Sequence, residues 1–187
     1  MGTTETINSY LDSSIDAINS IRSQSSVISS LASAMTDVLT NGGTIFWAGN
    51  GGSAADCQHL AAELVGRFEK DRQPLKSIAL TTDTSILTAI GNDFGFNQIF
   101  ARQIRALVKS SDLIVFISTS GKSKNILEGI LVAKEIGCKT AIFTGKNNVD
   151  VTFQVNITQE RTCHIQEGHI VVGQLLCSII EGNLKFK

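Results

Sequence analysis

From residue 44 onward, short apolar runs alternate with longer amphipathic stretches, and no other feature of the sequence constrains the fold as strongly. Runs rich in β-branched and aromatic residues predict five strands, at Thr44–Ala48, Lys76–Leu80, Asp112–Ile117, Lys139–Phe143 and Phe153–Ile157. Helical spacing of apolar residues predicts helices at Ser53–Phe68, Asn97–Val108, Ser123–Ile136 and Thr162–Glu181. Strands that alternate with helices indicate an α/β fold, in which a five-stranded parallel sheet is flanked by helices on both faces.

Two further amphipathic helices are predicted before the sheet. Apolar residues recur three or four apart between Ile7 and Leu39, and the polar segment Arg22–Ser26 interrupts them. A chain of 187 residues without a domain-sized linker is expected to form a single domain, 1–187. Charged residues make up 18% of the chain, below the roughly 25% that is typical of globular proteins. We therefore expect another subunit to cover part of the surface.

Partners that bind through bulk charge or through a membrane are not predicted. The formal net charge of −1 at pH 7 argues against general attraction to nucleic acid or anionic lipid. The sequence has no apolar run of the length that a membrane span needs, and its first residues lack the pattern of a signal peptide. We expect a cytoplasmic protein whose four cysteines, none of them in a CxxC pair, stay reduced.

A glycine-rich loop, Gly49-Asn50-Gly51-Gly52-Ser53, joins the first predicted strand to a helix. Glycines allow the backbone to approach a ligand closely, and a helix N-terminus attracts anions. The loop therefore predicts a cradle for an anion or a sugar. A tight turn without a ligand is one alternative. A dinucleotide site is another, since Gly49-x-Gly51-x-x-Ala54 fits its loose fingerprint, but Thr81-Thr82 rather than an acidic residue follows the second strand.

A second loop, Ser118-Thr119-Ser120-Gly121-Lys122-Ser123, follows the third predicted strand. Four hydroxyl groups around a glycine at a helix start can bind a phosphate without an arginine. The end of this loop resembles a P-loop, but Phe116 stands where that motif requires glycine, so ATP is not predicted. Simple N-capping by serine is the alternative.

His59 and Glu63 are four residues apart on the predicted helix after the first loop, so they share one face of it. A histidine and a carboxylate at this spacing can form half of a metal site or an acid–base pair, although an ordinary surface pair has the same spacing. Gln166 and Gln174 lie on the last predicted helix and by themselves indicate no chemistry.

Taken together and in order, these motifs resemble the bacterial phosphoheptose isomerases, which have the sugar isomerase (SIS) fold. The matching segments are Gly49–Ser53, His59–Leu64, Gly66–Arg67, Gly91–Phe96, Ile117–Gly121 with Ser123, and Ile165–Glu167. The resemblance implies a single SIS domain, a flavodoxin-like or Rossmann-like three-layer sandwich with an N-terminal helical hairpin. It also implies a cytoplasmic homotetramer with active sites between subunits, in which the helices of residues 1–41 take part in assembly.

By the same resemblance, the activity is conversion of sedoheptulose 7-phosphate to D-glycero-D-manno-heptose 7-phosphate. This is the first step towards the activated heptoses of bacterial lipopolysaccharide and capsule. Glu63 is then the base that moves a proton between C1 and C2. One zinc ion per subunit is held by His59, Glu63, Gln166 and Gln174. The residues implied to bind substrate are Asn50, Gly51, Gly52, Ser53, Glu63, Asn92, Asp93, Ser118, Thr119, Ser120, Ser123 and Gln166.

The sequence departs from the family at Gln174, where the family has a histidine that serves as second acid–base group and metal ligand. An amide cannot exchange a proton near neutral pH. The substitution therefore predicts reduced activity, in a natural variant that uses water or another residue or in an engineered inactive form. The alternative is a catalytically silent SIS module that binds a sugar phosphate or a protein partner.

Overall fold

The computed structural model describes residues 2–184, and over this range the chain forms five strands, all parallel, in one sheet. The strands run in the spatial order β2-β1-β3-β4-β5, with β1 and β3 at the centre. Their bounds are Ile45–Gly49 (β1), Ser77–Ala79 (β2), Leu113–Ile117 (β3), Lys139–Thr144 (β4) and Phe153–Asn156 (β5). The predicted strands and the parallel sheet are confirmed.

Helices cover both faces of the sheet, which makes the three-layer arrangement. Within residues 2–184 they are Thr3–Ser20 (α1), Ser25–Thr40 (α2), Gly52–Val65 (α3), Thr84–Phe94 (α4), Ala101–Leu107 (α5), Lys124–Ile136 (α6) and Thr162–Asn183 (α7). Alternate residues of the central strands face opposite cores. Trp47 and Val115 pack in the core formed with α1, α2, α3 and α7, whereas Phe46 and Phe116 pack in the core formed with α5 and α6.

The two N-terminal helices are joined by a 3₁₀ turn at Ile21–Gln24, within the segment where the sequence predicts a bend. Both helices pack against α7. Within residues 2–184, no helix has both the length and the apolar character that crossing a membrane requires.

Helix α4 is the one element of the sheet region that the sequence analysis missed. None of its residues is fully buried, although its apolar residues Ile86, Ile90 and Phe94 recur four apart, as in an amphipathic helix. The side chain of Asp83 caps it by accepting a hydrogen bond from the N–H of Ile86 at 2.9 Å. Two predicted helix bounds were also too long. Helix α3 ends before Gly66, and the segment from Asn97 is a 3₁₀ turn followed by the short α5.

The sheet reverses its direction of winding between β1 and β3. Strand β1 leads into α3 on one face, whereas β3 leads into α6 on the opposite face. The loops after these neighbouring strands therefore diverge and leave a crevice at the carboxyl edge of the sheet. In open α/β sheets this switch point is the usual place for a ligand.

Candidate functional site

A cleft of about 270 Å³ lies at the switch point between β1 and β3. Both loops that the sequence singled out contribute to it, together with the first turn of α7. Its lining consists of Asn50, Gly51, Gly52, Ser53, Ile117, Ser118, Thr119, Ser120, Ser123, Thr162 and Gln166. Nine of the twelve predicted substrate-binding residues are thus brought together in one cleft.

The glycine loop turns sharply from β1 into α3. A Cβ atom on Gly49 would lie 2.7 Å from the carbonyl oxygen of Ser53, so only glycine fits there. Gly51, the N-cap of α3, has a φ of 56°, a conformation that favours glycine. The turn sets the first residues of α3 in the wall of the cleft, where the free N–H groups of a helix start favour an anion.

The hydroxyl loop is held rigidly by its neighbours. The Thr119 carbonyl accepts from the N–H of Gly145 at 3.0 Å, and the Ser120 carbonyl accepts from the side chain of Asn147 at 2.8 Å. Ser118 donates its hydroxyl to Ser123 at 3.4 Å, so both hydroxyls face one point at the start of α6. Among residues 2–184, those that line the cleft include no charged side chain. Hydroxyls and N–H groups are therefore the donors available to a phosphate here.

Helices α3 and α7 lie side by side and run in the same direction. A Cβ atom on Gly52 would lie 2.6 Å from the Gln166 amide, and one on Gly173 would lie 2.4 Å from the Leu60 side chain. This register places Gln174, which follows Gly173, at the level of the α3 turn that carries His59 and Glu63. The structure thus brings Gln166 to the cleft and sets Gln174 level with His59 and Glu63 along the two helices.

His59 and Glu63 form a hydrogen-bonded pair, with 3.0 Å between His59 Nε2 and Glu63 Oε1. The Glu63 side chain is 21% exposed and the His59 side chain 47%. Glu63 lies eleven residues beyond Gly52, about 16 Å along the helix axis, and its side chain leans back towards the N-terminus. The pair and the cleft therefore lie along one helix, with the pair towards its C-terminal end.

A buried ion pair fixes the end of α3. Arg72 Nε donates to Glu181 Oε1 at 2.7 Å, and the two side chains are 0% and 2% exposed. Arg72 also donates to the carbonyl oxygens of Glu63 and Leu64, at 2.7 Å and 2.8 Å. Since these carbonyls lie at the open end of the helix, Arg72 completes their hydrogen bonding and holds the turn that carries Glu63.

The predicted zinc ligands meet only in part. Among residues 2–184, no three His, Cys, Asp or Glu side chains lie together in a group that could hold a metal ion. His59 and Glu63 supply one nitrogen and one carboxylate, whereas Gln166 and Gln174 supply only amide oxygens. Catalytic zinc sites usually have three ligands of the histidine, cysteine or carboxylate kind. Of the four predicted ligands, only His59 and Glu63 are of these kinds.

Asn92 and Asp93 lie outside the cleft, exposed near the end of α4. The amide of Asn92 donates to Asp93 Oδ1 at 2.7 Å. Their predicted role in the sugar pocket is neither supported nor contradicted by this position. Asp83, which follows Thr81-Thr82 after β2, caps α4.

Three features of the site were missed from the sequence. Asn125, on the first turn of α6, forms a hydrogen-bonded amide pair with Asn50. Thr162, at the start of α7, lines the cleft beside Gln166. Asp56 lies one turn before His59; burial raises the pKa of its carboxyl, although His59 opposes this. In the sequence these three residues are marked only by lying shortly after a motif or at a helix start. Many ordinary helix residues share such positions, so the sequence did not single these three out.

The first turn of α7 is also anchored to α1. Tyr10 donates its hydroxyl to Glu167 Oε1 at 2.6 Å, and this hydrogen bond is the main reason that the pKa of Tyr10 is raised to about 12. The other carboxylate oxygen of Glu167 lies 3.0 Å from Nδ1 of the buried His164. The hydrogen bond from Tyr10 thus links the part of α7 that carries Gln166 to α1.

Comparison with known proteins places the chain among sugar-phosphate isomerases. Residues 9–145 match the SIS domain family. A phosphoheptose isomerase of Geotalea daltonii is 47% identical over 187 residues, covering 96% of both chains. Solved phosphoheptose isomerases from Neisseria gonorrhoeae and Francisella tularensis give TM-scores of 0.90 and 0.92, at 38% and 37% identity. They cover 97% and 98% of this chain and 100% of their own.

Proposed function

The chain belongs to the phosphoheptose isomerases, enzymes with a SIS domain, and we propose that it converts sedoheptulose 7-phosphate to D-glycero-D-manno-heptose 7-phosphate. One observation carries this proposal. A charge-free cleft of hydroxyls and N–H groups lies at the start of the same helix that bears Glu63 further along. Sedoheptulose 7-phosphate has its phosphate at one end and its reacting carbons at the other. The cleft and Glu63 are likewise separated along α3.

The phosphate is bound by the hydroxyl loop and by the helix starts. Ser118, Thr119, Ser120 and Ser123 supply hydroxyl donors, and the N-termini of α3 and α6 add N–H groups and a partial positive charge. Such donors need no counterion and do not titrate near neutral pH. The binding of the phosphate end is therefore set by geometry rather than by a basic patch.

The isomerisation is a proton transfer through an enediol. Glu63 removes the proton from the carbon next to the carbonyl and returns it to the neighbouring carbon. A second group must move the hydroxyl proton and stabilise the developing oxyanion. Gln174 can donate a hydrogen bond to that oxygen but cannot exchange its proton. His59, 3.0 Å from Glu63, is the nearby side chain that can exchange one.

Zinc stays a prediction, and the donor set favours weak binding. His59 and Glu63 would hold the ion, with the amide oxygens of Gln166 and Gln174 as weaker ligands. When bound, zinc would polarise the carbonyl group of the substrate. A histidine at position 174 would supply the third strong ligand.

The Gln174→His variant is expected to convert sedoheptulose 7-phosphate at least about tenfold faster than the parent chain. A positioned acid–base group usually contributes about 10² to 10⁴ in rate, and the new imidazole recovers part of it. Coupled assay of the aldose product measures the rate, and mass spectrometry after dialysis measures zinc, which should also increase. If neither protein turns over the substrate while a specific protein partner is captured, the chain is instead the catalytically silent module.

An exposed apolar stripe on α1 supports assembly into a homotetramer. Ile7, Leu11, Ile15 and Ile18 are 42–54% exposed and share one face of the helix. Beside them, an apolar cavity of about 330 Å³ opens between α1, α2 and α7. Contiguous apolar surface of this kind usually marks a contact with another protein. We propose that a second copy of the chain covers it.

The Leu11→Asp variant is expected to dissociate the assembly into smaller species, because it places a charge in the apolar contact. Ser9→Asp is the matched control, since Ser9 is exposed on α1 but lies away from the stripe. Size-exclusion chromatography with light scattering measures the mass of each protein. A monomeric parent chain would contradict the proposed tetramer.

A further inference from the structure

We propose that Asn125 is a positioning residue that holds the amide of Asn50 in the orientation needed to bind a sugar hydroxyl. The inference rests on the proposed function, because it concerns the sugar end of the same cleft. Asn125 itself does not line the cleft, and neither the sequence motifs nor the family resemblance assigns it a role.

The two side chains form a reciprocal amide pair. Asn50 Nδ2 donates to Asn125 Oδ1 at 2.9 Å, and Asn125 Nδ2 donates to Asn50 Oδ1 at 2.8 Å. Asn125 is 2% exposed, whereas Asn50 is partly exposed and lines the cleft. Two hydrogen bonds in opposite directions hold the two amide groups against each other. Turning over the Asn50 amide alone would set N–H against N–H and oxygen against oxygen.

The amide pair determines which hydrogen-bonding groups of Asn50 remain available to a ligand. A primary amide has two N–H donors and two oxygen lone pairs, and the pair uses one of each. One N–H and one lone pair of Asn50 therefore remain for a ligand. Sugar hydroxyls both donate and accept, so neighbouring hydroxyls of one sugar can engage both groups, whereas phosphate oxygens can use only the N–H. The geometry points to recognition of a polyol rather than of the phosphate.

The position of the pair in the fold supports the same role. Asn50 follows β1 and Asn125 lies on the first turn of α6, so their contact spans the crevice at the switch point. The residues are 75 apart in sequence. Ser123, the last hydroxyl of the phosphate loop, occupies the N-cap position of α6, two residues before Asn125. A sugar chain that leaves the phosphate therefore passes next to Asn50.

The test compares two ligands on the 187-residue chain by calorimetry: sedoheptulose 7-phosphate and inorganic phosphate. In Asn125→Leu the sugar phosphate should bind about tenfold more weakly, as expected for the loss of one well-oriented hydrogen bond. Inorganic phosphate should bind within about twofold of the parent, because its donors are left in place. Asn125→Ala gives a second variant, and thermal unfolding shows whether each is folded.

A double-mutant comparison separates positioning from a merely structural role. In a background with Asn50→Ala, Asn125→Leu should have no further effect on sugar phosphate binding, because its target is gone. Equal weakening in both backgrounds, an equal loss of inorganic phosphate, or no loss at all would overturn the inference. A parent chain that binds the sugar phosphate no better than inorganic phosphate would instead remove the proposed function, and this inference with it.

Discussion

The Glu63→Gln variant is expected to turn over sedoheptulose 7-phosphate about 10³-fold more slowly than its parent. Glutamine keeps the size of the side chain and can still pair with His59, but it cannot accept a proton from carbon. Binding should change little, since the phosphate donors belong to the two loops around the cleft. The loss should therefore appear in kcat rather than in KM, which is how removal of a transition-state interaction appears.

The rates are best measured in two backgrounds, the parent chain and Gln174→His. If the parent chain is slow, the faster background still allows a rate loss of about 10³-fold to be measured. Exchange of the substrate's carbon-bound hydrogen in deuterium oxide, followed by NMR, reports the proton abstraction directly. Glu135→Gln is the matched control, since Glu135 is exposed near the far end of α6. A Glu63→Gln variant that retains both turnover and exchange would remove Glu63 from the role of base.

The sheet and the cleft could be predicted from sequence because their signals are local. Each buried strand is a short apolar run, and each ligand loop begins at the residue where such a run ends. Parallel strands bring their carboxyl ends to one edge, so the two loops had to meet if the strands were neighbours. The resemblance to a family added the chemistry of Glu63, which spacing alone could not separate from a surface pair.

What the sequence did not reveal depends on contacts between distant segments. The partner of Asn50 is 75 residues away, and that of Arg72 is 109 residues away. Such features have no local pattern, because tertiary packing selects them after the sheet has formed.

The register of α3 and α7 gives physical meaning to the substitution at position 174. Gly173 packs against Leu60, so residue 174 lies at the level of the α3 turn that carries His59 and Glu63. The resemblance to the family implies that a histidine at this position would act with Glu63, whereas the glutamine present can form hydrogen bonds but cannot exchange a proton.

The Glu181→Gln variant is expected to lower the free energy of unfolding by about 3 to 5 kcal/mol, the usual cost of removing one member of a buried ion pair. Glu181 accepts four hydrogen bonds, from Arg72 and from the N–H groups of Phe68, Glu69 and Lys70. A glutamine would set its own N–H groups against some of these donors and would remove the carboxylate charge that Arg72 Nε contacts. Urea unfolding at a fixed protein concentration measures the change.

The pH dependence of the same variant gives an independent check. Burial alone would raise the pKa of Glu181, but its hydrogen bonds with the backbone and with Arg72 outweigh burial and lower the pKa from 4.5 to about 2. A lowered pKa stabilises the fold above pH 4.5, by about 3 kcal/mol. This stabilisation is lost as the pH falls from about 4.5 towards 2, so the difference between parent and variant should shrink over that range.

Glu160→Gln, which breaks the exposed pair with Lys146, is the matched control and should cost no more than about 1 kcal/mol. Equal effects of the two substitutions, or a difference that does not change with pH, would show that the buried pair does not hold the end of α3.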